Sequence, residues 1–352
     1  MIGHRFLGPG IGIAGLLAFP ATGFGSTIDV FPGDSIQQAV GEAHHGDVIK
    51  VHEGVYHESV EIKKNGLTLK GVGTDYRDGT VITSVEDHTK RCQGGSVGIC
   101  VLPHKDGDGR ARTANTKVKG FLIRGFKASG ALAIGAKDTT FLGNKFAADG
   151  EYGVAAFGST RTKFLHNVAR LADEAGFYVG DSKRARATLR GNKARGNGEF
   201  GFFLRDASHG RVVHNEATRN CLGIGLLNTG APGGVRRWQV SGNDASINNH
   251  VCVAGEGLRI SGTGIGVLGA RRNVVRNNSV RGNKPFTPAP LAGGIVVTAT
   301  TSFGGSLAAK NLIERNRAFN NEPADIVWDG QGKGNRFRHN GCDTSMPDGL
   351  CS

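Results

Sequence analysis

Along the middle of the chain, apolar residues come in short bursts, each opening on a glycine. Aligned on that glycine, Gly153, Gly176, Gly201, Gly223, Gly264 and Gly294 form one column. The next position reads Val154, Phe177, Phe202, Ile224, Ile265 and Ile295, and two further on stand Ala156, Val179, Leu204, Leu226, Val267 and Val297. Period-two alternation marks strands, with these two columns turned inward. The intervening column, Ala155, Tyr178, Phe203, Gly225, Gly266 and Val296, then faces outward, and the next outward column contains Phe157, Arg205 and Leu227.

Between the bursts a polar phrase recurs: an Asn preceded by Gly, His or Arg, a few polar residues, and often a second Asn. The first Asn falls at Asn144, Asn167, Asn192, Asn215, Asn243, Asn277, Asn316 and Asn340, with gaps of 23, 25, 23, 28, 34, 39 and 24. A repeat of this size signals a solenoid whose units bury their apolar faces only against their neighbours. The period is too short for the usual helical repeats and lacks a leucine-rich pattern. What remains is an all-β chain wound as a parallel β-helix, one coil per repeat, with equivalent residues roughly 4.8 Å apart. The Asn columns then read as structural: Asn tolerates a left-handed turn, and its amide can bond the coils above and below. His166, His214 and His339 sit at the same turns. The extra residues of the long coils fall in 229–238, 253–262, 284–292 and 299–309, at the ends of one strand position, where they would wall a groove over one face.

At the start of the repeat region, 27–73 reads as an entrance cap. Asp34 is placed to N-cap a helix with Ile36, Ala39, Val40 and Ala43 on one face, ending near Gly46, and strands follow at 48–51, 59–62 and 67–69. Such a helix covers the open edge of the first coil. The phrases Pro32-Gly33-Asp34-Ser35-Ile36-Gln37, Gly46-Asp47-Val48-Ile49, Gly54-Val55-Tyr56-His57-Glu58 and Gly71-Val72-Gly73 resemble the opening of the right-handed parallel β-helix superfamily that includes pectate lyases. The Asn-rich coils are similar to repeats of polyuronate epimerases and of periplasmic copper-maturation proteins. The resemblance runs from about residue 28 to the C-terminus and implies a single right-handed solenoid with an N-terminal capping helix. It implies no single activity, because the superfamily hosts lyases, hydrolases, epimerases and non-catalytic members. No segment matches the Arg-Pro-containing catalytic stretch of pectate lyases, so those catalytic residues do not carry over. Copper delivery is disfavoured by the lack of any His or Met cluster; Met1 and Met346 are the only methionines.

The 352 residues, 57 of them Gly, suit one elongated domain over 26–352. The preceding 1–25 carries an apolar run after His4 and Arg5 and reads as a secretory signal peptide. No stable membrane insertion is expected after its cleavage. Six cysteines fit an exported, oxidising location. Cys92 with Cys100, Cys221 with Cys252 and Cys342 with Cys351 are the pairings that proximity favours, although six cysteines allow 15. The first pair pins a loop over 84–115, where the rhythm is lost and Asp106 and Asp108 have only the first spacings of a calcium loop. Regular coils resume over 116–340, and the last pair staples 342–351. Net charge is +13, from 43 Lys plus Arg against 30 Asp plus Glu. On an exported, monomeric protein this favours acidic glycans or an anionic cell-wall polymer over nucleic acid.

The candidate chemistry lies on the outward face. Glu151, Glu174 and Glu199 stand two residues before successive opening glycines, and three stacked carboxylates repel unless something positive joins them. At the other end of the same strands a column contains Asp181, Asp206 and Asn228. Tyr178, Phe203, Phe157 and Arg205 lie between the two lines. Aromatic faces flanked by carboxylates suit a sugar chain. Calcium on Asp181, Asp206 and Asn228 would neutralise a uronate and acidify its neighbouring proton, with Arg205 or Lys183 assisting, and Glu174 with Glu199 or Asp181 with Asp206 would serve as a hydrolytic pair. Beyond the turns runs a basic line, Lys137, Arg161, Lys163, Lys183, Arg184, Arg211, Arg236, Arg237, Arg271 and Arg272, able to hold a linear polyanion. The expected function is binding of an acidic polysaccharide, with lyase, epimerase or hydrolase chemistry. The alternative is a non-catalytic adhesive or structural protein of the cell surface or matrix.

Overall fold

The computed structural model describes residues 25–84, 91–103, 113–254 and 257–351. The expected signal peptide and the Asp106–Asp108 turn lie outside the described residues. The chain winds into a parallel β-helix whose coils stack into sheets of 12, 11 and 10 strands, with a separate two-stranded hairpin. One coil shows the pattern: Ala175–Gly180 runs in the 11-stranded sheet, Ala187–Arg190 in the 12-stranded sheet and Lys193–Arg195 in the 10-stranded sheet, before Phe200–Arg205 returns to the 11-stranded sheet one coil on. These are called the third, first and second sheets below. Register follows the expected columns: Val154 pairs with Phe177, Phe177 with Phe202, Phe202 with Ile224, Ile224 with Ile265 and Ile265 with Ile295. All six side chains are fully buried in one continuous core.

Helix Ile36–Glu42 closes the entrance with Ile36, Ala39 and Val40 buried in that core. It differs from expectation at both ends. Ser35 is the N-cap, accepting from the Gln38 amide at 3.2 Å, while Asp34 accepts from the Phe31 amide in the preceding turn. The remaining free amides of Ile36 and Gln37 donate to the Glu58 carboxylate, which satisfies the exposed helix start from the next coil. The helix stops at Glu42, short of Gly46.

Two Asn ladders run along the corners of the second sheet. At the corner with the first sheet, Asn144, Asn167, Asn192, Asn215, Asn243, Asn278, Asn316 and Asn340 each pass hydrogen bonds to the next. Asn278, not Asn277, is the ladder member. The left-handed residue is the one before each amide, as in His166 (φ 55°), His214 (φ 54°), Asn277 (φ 54°) and His339 (φ 50°). The steps past Asn243 are therefore 35 and 38 residues. A second ladder at the corner with the third sheet joins Asn197, Asn220, Asn248, Asn283 and Asn321, and ends on Asp325.

At its N-terminal side this second ladder is broken. Asp149 takes the Asn position, accepting the Phe126 amide at 3.2 Å, and Ala172 follows where another amide would stand. The Oδ2 atom of Asp149 is buried without a partner. Burial holds the Asp149 carboxyl well above the ordinary carboxylate range, against a smaller opposing effect of the Phe126 amide. The folded protein therefore holds a proton there that the unfolded chain releases near pH ~3.9, so stability falls as pH rises through that window, by up to ~1.4 kcal/mol per unit. Asp149→Asn keeps the acceptor and replaces the orphan oxygen by a donor. It is expected to raise the thermal midpoint at pH 7 and to change it little at pH 4; an equal gain at both would mean that ionisation of Asp149 is not the cause.

The three described disulfides are Cys92–Cys100, Cys221–Cys252 and Cys342–Cys351. Among the described residues no helix is long and apolar enough to cross a membrane.

Candidate functional site

The outward face of the third sheet is not bare. It carries a second apolar cluster that includes Tyr152, Tyr178, Phe200, Phe203, Leu222 and Leu268. Strict alternation puts Tyr152 and Phe200 inward, on the parity of Val154 and Phe202. The glycine column resets that parity. A Cβ on Gly153 or Gly201 would lie 2.8 or 2.6 Å from the carbonyl of the glycine one coil on, a contact no side chain tolerates. The residues before these glycines, Tyr152 and Phe200, pack in the outer cluster, while Val154 and Phe202 after them pack in the core.

The inserts rise around this floor. Cys252–Ala254 and Leu258–Ile260 form an antiparallel hairpin, tied to the sheet through Cys221–Cys252. Opposite it, the 3₁₀ turn Thr301–Phe303 is held by Thr300, whose hydroxyl donates to the Asn228 carbonyl at 2.6 Å, and by Ser306, which donates to the Gly269 carbonyl at 2.8 Å. Between them lies a cavity of about 510 Å³, with Phe200, Phe203, Leu227 and Leu268 among its lining and, among the described residues, Glu174, Glu199 and Arg205 as its charged groups.

Glu174 and Glu199 occupy adjacent coils, the Glu199 amide donating to the Glu174 carbonyl at 2.8 Å. The Tyr152 hydroxyl donates to Glu174 Oε2 at 3.1 Å. Burial, then the negative charge of Glu174, pushes the Glu199 carboxyl up to about 7. Glu174 is also raised by burial, but the Tyr152 hydrogen bond and Arg205 work against the shift while Glu151 adds to it. The two neighbouring carboxyls thus sit in unlike surroundings, Glu174 hydrogen-bonded by Tyr152 and facing Arg205, Glu199 buried beside a negative charge, and unlike surroundings are how paired carboxyls come to divide acid and base roles.

Of the residues expected from the sequence, the cavity brings together Glu174, Glu199, Phe203 and Arg205. Tyr178 is outward but only 1% exposed, covered by Tyr152, Phe157 and Phe203, and its phenol is raised by burial. It supports the floor and offers no free face for stacking. Phe157 is half-buried beside it. Asp206 is buried, and both its oxygens accept from Thr229, the amide at 2.9 Å and the hydroxyl at 2.5 Å. Asn228 accepts the Gly230 amide and donates to Ser306 and the Gly269 carbonyl. These two side chains anchor the walls of the cavity, so the set Asp181, Asp206 and Asn228 does not present an open oxygen cradle for calcium. Among the described residues no group of three or more His, Cys, Asp or Glu gathers in a metal-binding arrangement. Asp181 is exposed at a left-handed turn (φ 54°), and Lys183, Arg184, Arg236 and Arg237 are exposed beyond the cavity. Arg161 of the basic line is held by Asp138 through two hydrogen bonds. Sequence reasoning missed Tyr152 and Phe200, and also Thr229, Leu258, Leu291 and Phe303, which lie in or next to aperiodic inserts.

Comparison with known proteins agrees with the fold. Residues 71–245 match a family model described as "Right handed beta helix region". The chain has the right-handed parallel β-helix fold, and that family model spans just under half of it. Among solved structures it is similar to the Dettilon tailspike protein gp208, at 13% identity and a TM-score of 0.51, covering 87% of this chain and 65% of the tailspike. It is similar to the A-module of the mannuronan C-5 epimerase AlgE6 of Azotobacter vinelandii, at 15% identity and a TM-score of 0.57, covering 88% and 85% of the two chains. The periplasmic alginate epimerase AlgG, in a point-mutant form, matches at 12% identity and a TM-score of 0.50, covering 89% and 83%. The chain thus spans a little under two thirds of the tailspike. No curated protein matches the sequence.

Proposed function

We propose that this is an exported protein that binds a polysaccharide across the outer groove of the third sheet and cleaves it by hydrolysis. The observation that carries the reading is the pair Glu174 and Glu199 on adjacent coils, in unlike surroundings, at the end of a largely apolar cavity that also holds Arg205. In this mechanism Glu199 gives its proton to the glycosidic oxygen as the bond from the anomeric carbon breaks. Glu174, oriented by Tyr152, attacks the anomeric carbon as nucleophile to form a glycosyl ester; water then displaces Glu174 from that carbon, giving its hydroxyl to the sugar and its proton to Glu199, which restores both carboxyls. The apolar floor meets the hydrophobic faces of the sugar rings, and Arg205 meets a carboxylate on an acidic chain. Three disulfides suit an oxidising compartment outside the cytoplasm. The likeness to two epimerases named for mannuronan and alginate suits an acidic substrate.

The test is incubation with a panel of polyuronates, other acidic glycans and neutral glycans, with and without calcium, followed by mass spectrometry. Fragments carrying one added water support hydrolysis. Unsaturated fragments would replace it with elimination, in which Arg205 neutralises the uronate. Binding without mass change, and without epimerisation by NMR, would favour the adhesive reading. A strict calcium requirement would return Asp181, Asp206 and Asn228 to the mechanism.

A further inference from the structure

On the outer face of the second sheet, register places Arg124, Ala147, Arg170 and Arg195 on successive strands. Lys145 stands two residues before Ala147 on the same strand and the same face. Arg124 and Arg170 therefore flank the small Ala147 side chain at two strand spacings, roughly 9.6 Å. Tyr76, 59% exposed, reaches over this point and holds the Arg124 guanidinium 5.5 Å from its ring centroid. Tyr76, Arg124, Lys145, Ala147 and Arg170, with Leu122 and Leu171, line a depression of about 180 Å³, and Arg195 stands one strand beyond it. Arg161 is paired with Asp138, Lys193 with Glu216 and Lys284 with Glu322, whereas among the described residues no carboxylate lies within ion-pair distance of Arg124, Lys145, Arg170 or Arg195. Like charges gathered on one face repel and are relieved only when an anion joins them.

We infer that this depression is a second saccharide-binding site, one that takes a sugar unit bearing an anionic group, carboxylate or sulfate. The anion sits over Ala147 between the two guanidinium groups and the Lys145 ammonium, and the ring lies against Tyr76 and Leu171. Guanidinium forks match planar carboxylate and sulfate oxygens, and an aromatic edge with an exposed leucine matches the apolar face of a pyranose. The volume suits one sugar residue, and the open rim lets a chain continue in both directions. The site stands whether or not the groove on the third sheet turns substrate over.

The experiment uses the full-length secreted protein with four probes: galacturonate hexamer, cellohexaose, its sulfate ester and inorganic sulfate. Affinity is measured by calorimetry and the site located by hydroxyl-radical footprinting of Tyr76. Both anionic hexamers are expected to protect Tyr76, and which of them binds tighter identifies the anion; cellohexaose and inorganic sulfate are expected to leave Tyr76 unprotected. Lys145→Gln with Arg170→Gln should weaken anionic hexamer binding at this site about 30-fold and abolish the protection, while Tyr76→Ala should weaken it about 5-fold. Arg205→Gln, in the groove, should leave Tyr76 protection unchanged. The inference is overturned if neither anionic hexamer protects Tyr76, if protection survives the double variant, or if inorganic sulfate protects as well as the hexamers, which would reduce the site to an anion contact. Absent turnover with Tyr76 still protected would refute the groove mechanism alone.

Discussion

Asn192→Ala is expected to destabilise the protein by about 3–5 kcal/mol, seen as a large fall in the denaturant midpoint. Asn192 is fully buried in mid-ladder. Its Oδ1 accepts the Asn167 amide and side chain, and its Nδ2 donates to the Phe164 carbonyl at 2.8 Å and to Asn215 at 2.9 Å. Alanine leaves those buried partners unmatched in two neighbouring coils. Asn192→Asp separates hydrogen bonding from shape. It preserves the acceptor but points an oxygen at the Phe164 carbonyl, so the buried acid holds its proton. Its folded pKa is raised above the unfolded one, and the variant should lose stability as pH rises from 4 to 7. Wild-type behaviour in Asn192→Ala, or a pH-independent Asn192→Asp, would show that the ladder contributes little.

The second large effect concerns Glu199. Glu199→Gln should lower the turnover of a cleaved glycan by about 10²–10⁴-fold while substrate affinity changes little, because only the proton donor is lost. In the wild type the rate should fall as pH rises through about 7, where Glu199 gives up its proton. The stability profile follows with a fixed sign. A carboxyl raised from its ordinary 4.5 to about 7 holds a proton that the unfolded chain has released, so folding stability declines across that interval and Glu199→Gln flattens the decline. The two profiles are independent readouts. An alkaline limb that persists in Glu199→Gln would assign the proton donor elsewhere, and a shift in apparent affinity alone would make Glu199 a binding group.

Much of the fold was legible because a solenoid writes its geometry as period. The core columns and the position of the inserts follow from register, and the three disulfides from proximity in sequence. The errors were local. Two adjacent asparagines, Asn277 and Asn278, obscured which one carries the amide ladder, since the left-handed turn and the ladder favour the same residue type. Asp34 and Ser35 posed the same problem at the helix start, and the structure uses both, for different amides. At the site, the line of Glu174 and Glu199 was readable from the repeat, as was Arg205. Tyr152 was not, because the alternation is reset at the glycine that follows it, so strict period two assigns it to the wrong face. The roles of Asp206 and Asn228 depend on Thr229 and Ser306, which belong to or border aperiodic inserts and follow no pattern that a repeat alignment exposes.

The ladders span these inserts without noticing them. Successive amides are 23 residues apart at one step and 38 at another, yet the hydrogen bonds measure 2.9 Å and 2.9 Å. Scaffold and reading surface are thus separately mutable. A different hairpin between Cys252 and Ile260, or a longer turn around Phe303, reshapes the walls of the groove while every coil stays in register. Recognition in such a molecule can drift through insertions and deletions, changes that would wreck most cores, and selection can retune its ligand by editing loop length alone.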